Sequence, residues 1–67
     1  MLMNGQIGET AGQVWRLLER DGPQTLAQIK KNVDGKDDLV NYALGWLARE
    51  DKIEILAEKK TIRVQLK

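Results

Sequence analysis

The sequence predicts an α+β fold in which three helices precede a two-stranded antiparallel hairpin. Three observations carry this reading. Apolar residues follow helical spacing up to about residue 50 and strict alternation after it. Breakers punctuate the helical part twice, at Gly22–Pro23 and Asp34–Gly35. The chain has 67 residues, enough for one domain spanning 1–67 with a thin core.

Each element follows in order. In "IGETAGQVWRLLERDG", Ile7, Ala11, Val14 and Leu18 share one helical face, flanked by Trp15 and Leu17. This predicts a first helix over about 7–20, with Met3 among a few loosely held residues ahead of it. Gly22 suits the left-handed cap that ends the helix, and Pro23 cannot continue it. "TLAQIKKNVDG" opens with Thr25 and places Gln28 three residues on, the capping-box pattern. A short second helix over about 25–32 then puts Leu26, Ile29 and Val33 inward and Lys30 and Lys31 outward. Asp34–Gly35 makes a tight turn into a third helix over about 37–50, with Val40, Leu44 and Leu47 as its inner stripe. The final stretch predicts strands over about 53–57 and 61–66. Ile53, Ile55, Ile62, Val64 and Leu66 lie on the inner face; Glu54, Arg63, Gln65 and Lys67 face out. "AEKK" lacks the Asn-Gly of a two-residue hairpin turn, so a slightly longer loop of common type is expected.

Composition removes several classes of function. No cysteine means no disulfide, and no histidine makes structural zinc a poor fit. With neither residue, catalysis would fall to carboxylates, lysines or Tyr42, and no convergent set is readable, so no enzyme and no cofactor are expected. "DGKDD" lacks the alternating ligands and distal Glu of a calcium loop. No apolar run approaches the roughly 18 residues of a membrane span, and "MLMNGQ" is not a secretion signal. A cytoplasmic protein follows. So small a core, without staples, also favours self-association, and a homodimer is the expected assembly.

Net charge is only +1, but its distribution is uneven. Residues 34–51 carry two basic and five acidic side chains, whereas residues 52–67 carry five basic and two acidic. The positive charge sits on the hairpin and the negative charge around the third helix.

Helix, turn, short capped helix, tight turn, long helix and hairpin together resemble the winged helix-turn-helix plan. The stretch "TLAQIKKNVDGKDDLVNYALGWLAREDKIEI" is similar to its second helix, third helix and first wing strand. "IGETAGQVW" with "ALGWLAREDKI" resembles a family of short stand-alone bacterial winged helix-turn-helix proteins of unknown function, over about residues 6–66. The resemblance implies a DNA-binding, transcription-associated module. One position departs from the wider pattern: Asp51 stands where many winged domains have glycine before the wing.

Two surfaces are candidates for function. For double-stranded DNA, Lys59, Lys60 and Arg63 on the wing can follow a phosphate backbone, with Lys30 and Lys31 of the second helix extending the stripe and Lys36, Asn41, Tyr42 and Arg49 contributing from the third helix. Against this, Asp37 and Asp38 lead the helix that would enter the groove, and edge lysines often serve only to block aggregation. In a capped helix those aspartates have a simpler role, stabilising the N-terminus by roughly 0.3–1 kcal/mol each. For a protein partner or a second copy, Leu39, Tyr42, Gly45 and Trp46 form a contact face, because Tyr and Trp are enriched in interface hot spots. Gly45 costs about 1 kcal/mol in a helix interior, which suggests close approach of a backbone or ring. Alternatively Trp46 folds beneath the wing onto Ile55 or Ile62.

Overall fold

The computed structural model describes residues 4–33 and 36–67. Its elements are α1 (Asn4–Asp21), β1 (Gln24–Thr25), α2 (Leu26–Asn32), α3 (Asp37–Arg49), β2 (Ile53–Glu58) and β3 (Thr61–Leu66). Met3 and the turn expected at Asp34–Gly35 lie outside the described residues.

α1 begins a turn earlier than its apolar spacing predicts, despite Gly5 and Gly8. Ile7, Gly8 and Asn4 line a groove with Trp46 of α3, and such tertiary packing outweighs a weak local propensity. At the other end Gly22 takes φ +78° and its N–H reaches Leu18 O at 2.9 Å. The capping box of α2 forms in full: Gln28 N donates to Thr25 Oγ1 at 3.2 Å, and Thr25 N donates to Gln28 Oε1 at 2.9 Å.

α3 ends in a Schellman arrangement, with Asp51 N–H on Ala48 O and Lys52 N–H on Leu47 O, both 3.0 Å. This turn requires a left-handed residue, and Asp51 supplies it at φ +62°. The Asp51 carboxylate also accepts a hydrogen bond from the Lys67 ammonium, which raises the Lys67 pKa above its ordinary value.

The sheet has three strands in the order β1-β3-β2, all antiparallel. β1 does not show in the sequence pattern, because it has two residues, the second of them the cap of α2, and is too short for alternation. It pairs Gln24 with Val64 and Thr25 with Arg63. The hairpin loop is shorter than expected: Glu58 pairs with Thr61, leaving only Lys59 and Lys60 in the turn. Neither lysine takes a positive φ, so two ordinary residues make the turn without the Asn-Gly chemistry of the mirror-image types.

The core takes one sealed β-branched side chain from each helix and from the central strand: Val14, Ile29, Val40 and Val64. Ala11, Leu17, Leu18, Ala43, Leu44, Leu47 and Ile53 surround them. The wing is only half covered. Register puts Ile55 beside Val64 and Ile62 beside Ala57, on the inner face as predicted. Yet Ile55 is 44% and Ile62 40% exposed, so the expected burial fails there. Ile55 lies on an edge strand and Ile62 beside the hairpin turn, and the helices seal only Ile53 and Val64. No helix among the described residues is long and apolar enough to cross a membrane.

The turn before the wing gives a direct test. Glycine and alanine at position 51 both lose the Lys67 partner, but glycine relieves the left-handed strain and alanine keeps it. Asp51→Gly and Asp51→Ala are expected to differ by about 1–2 kcal/mol in urea unfolding, with glycine the more stable. Equal stabilities would show that the turn carries no strain.

Candidate functional site

Two local devices position the first surface. The capping box fixes where α2 starts, and β1 fixes the wing beside it. Between them lies an open cleft of about 460 Å³, lined by Thr25, Leu26, Ala27 and Lys30 on one side and by Lys60, Thr61 and Ile62 on the other. Neither lysine forms an ion pair with another described residue. Lys30 and Lys60 thus border one cleft from its two sides, a cationic pair suited to a phosphate. Lys30 is the member that sequence reasoning placed only at the margin. Its pattern marked it as outward, and the wing's position beside α2 shows only in three dimensions.

The other predicted nucleic-acid residues do not form one stripe with it. Lys59 is exposed in the wing turn. Arg63 is exposed but lies next to sealed Val64 on the strand, so it points to the face away from the helices. There its Nε lies 3.5 Å from Glu58 Oε1, which already offsets part of its charge. On α3, Asn41, Tyr42 and Arg49 are all solvent-exposed and share an outer arc with Asp38 and Gly45. Lys36 occupies the N-cap position without a side-chain cap, and Asp37 and Asp38 follow it, both exposed. The acidic start of α3 is therefore open to solvent, near any approaching phosphate.

The second surface runs along α3 towards α1. Leu39 is half-buried, Tyr42 is 52% exposed and Trp46 45%. Trp46 is not packed beneath the wing. It lines a groove of about 550 Å³ with Gly8, Gly12, Trp15 and Arg16 of α1, while Ile55 and Ile62 remain exposed. The close approach expected at Gly45 is also not found among the described residues, since a Cβ there would meet nothing within 4 Å. Gly8 is equally open, and Gly12 meets only the Arg16 guanidinium, at 3.5 Å. Among the described residues no cluster of acidic side chains is arranged to hold a metal ion.

Three helices, with α2 and α3 close in sequence and a hairpin wing packed behind them, define a winged helix-turn-helix domain. The chain belongs to the family described as "Winged helix-turn-helix domain (DUF2582)", which matches residues 1–66. An uncharacterised protein of Methanocaldococcus jannaschii is 46% identical over 68 residues, covering 97% of this chain and 96% of that protein. That relative is archaeal, so proteins of this kind are not confined to bacteria.

The open space at Gly45 predicts a gain on substitution. Gly45→Ala is expected to stabilise the isolated chain by about 0.5–1 kcal/mol, because alanine is the better helix former and meets no obstruction. A loss of stability in a monomeric sample would mean that α3 is crowded there after all.

Proposed function

We propose that this domain binds double-stranded DNA as a transcription-associated module in the cytoplasm. In this reading it has no catalytic role and no cofactor. The observation that carries it is the placement of Lys30 and Lys60 on the two sides of the cleft between α2 and the wing, with no acidic partner for either among the described residues. A phosphate seated there would be held from two elements at once. Lys59 extends the cationic rim at the wing tip, and Lys36, Asn41, Tyr42 and Arg49 would meet the backbone or base edges from α3. Arg63 contributes less, because Glu58 competes for it. With so few cations and an acidic α3 start, affinity is modest and falls with added salt in proportion to the few phosphates engaged.

The test is duplex binding by the double variant Lys30→Ala/Lys60→Ala across a range of salt. Losing two phosphate contacts is expected to flatten the slope of log K against log salt by about 1.8. An unchanged slope would remove the cleft from the interface.

The exposure of Tyr42 and Trp46 supports a second reading, a protein-contact module that uses Leu39, Tyr42, Gly45 and Trp46 without DNA. Under it, Trp46→Ala abolishes partner capture or shifts self-association towards monomer. Unaltered association in that variant would leave Trp46 as a prop for α1.

A further inference from the structure

β2 leaves one edge open. The sheet order β1-β3-β2 places β3 between the other two strands, so among the described residues the backbone groups of β2 that turn away from β3 have no strand beside them. Lys67 N–H donates to Lys52 O at 3.1 Å, which makes Lys52 and Lys67 a hydrogen-bonded pair. Antiparallel alternation then turns residues 54, 56 and 58 towards β3 and leaves the N–H and C=O groups of Ile53, Ile55 and Ala57 facing outward. The same edge exposes Ile55 and Leu56 at 44% and 41%, a liability that sheet proteins normally cover.

We propose that this edge is covered by a second copy of the chain, with β2 pairing antiparallel to its own mate about Ile55. Register selects this arrangement over its neighbours. A two-fold pair must match outward-facing residues with outward-facing residues. Centred on Ile55, it sets Ile55 opposite Ile55, Ile53 opposite Ala57, and Lys52 opposite Glu58. Moving the centre by one residue to Leu56 puts Glu54 opposite Glu58 and breaks the charge match. Moving it to Glu54 puts that carboxylate opposite itself.

The Ile55 register also completes the inner face. Across the joint, Val64 and Ile55 of one copy continue into Ile55 and Val64 of the other. The exposed pair Ala57 and Ile62 comes to lie beside the mate's Ile53 and Leu66, at the end of the sheet its helices cover. Pairing stops at Lys52, since Asp51 is left-handed and cannot extend the strand. Lys59 and Lys60 stay outside the paired segment. The joined edge therefore does not depend on the DNA-binding reading and leaves the cleft open.

The chain contains no cysteine, so single-cysteine variants report this geometry without background. Paired about Ile55, the two Ile55 Cα atoms stand about 5.5 Å apart, within disulfide range, whereas the two Leu56 Cα atoms stand beyond about 7 Å. Mild oxidation of the full chain is expected to link Ile55→Cys into a covalent dimer at least about tenfold faster than Leu56→Cys, although both positions are similarly exposed. Sedimentation should show that Glu58→Lys weakens the dimer and that Lys52→Glu/Glu58→Lys restores it. A chain that is monomeric at every concentration overturns the proposal. So does a dimer that links through Trp46→Cys on α3 while Ile55→Cys does not link.

Discussion

The position of the wing depends on a two-residue pairing, Gln24 with Val64 and Thr25 with Arg63. A hairpin alone is barely stable in water, and this one seals only Ile53 and Val64 on its inner face. β1 supplies what the apolar face lacks by hydrogen-bonding β3 to the segment that opens α2. Thr25 serves in both structures. Its backbone sits in the sheet, while its Oγ1 receives the Gln28 N–H that starts the helix. The start of α2 and the position of the wing are therefore set by two adjacent residues, Gln24 in the sheet and Thr25 at the helix cap, and the cleft between Lys30 and Lys60 is a consequence of them.

Around that junction the charges divide by face. The cleft side offers two lysines without acidic partners among the described residues. The outer wing face pairs its charges internally, through Arg63 with Glu58 and Gln65 with Glu54 at 3.0 Å. The base of the wing closes with Lys67 on Asp51. Acidic side chains at the start of α3 stabilise that helix through its dipole and oppose phosphates in the same place. The result favours contact by the α2–wing side over deep insertion of α3.

Much of this was legible in the sequence, for physical reasons that can be named. Helical spacing, the Thr25–Gln28 box and the Gly22–Pro23 stop each act within a few residues, and the α+β winged arrangement followed from them with the resemblance. Local pattern failed where the deciding contact was distant. β1 is too short for alternation to show, and its partner is about forty residues away on β3. Ile55 and Ile62 carry the correct alternation but overhang the helices, which no strand pattern reports. Lys30 joined the site only because β1 brings the wing to it. At Gly45 the cost of glycine in a helix suggests a close contact, yet no neighbour lies within reach among the described residues.

The central claim is that the cleft between α2 and the wing is a phosphate-binding surface. It is tested most directly by following backbone amide shifts as a mixed-sequence duplex is added at low salt, on a sample of known oligomeric state. The expected shifts centre on Thr25–Lys30 and Lys59–Ile62, with weaker ones along Asn41–Arg49, all reversed by added salt. A spectrum unmoved by excess duplex at low salt would contradict it.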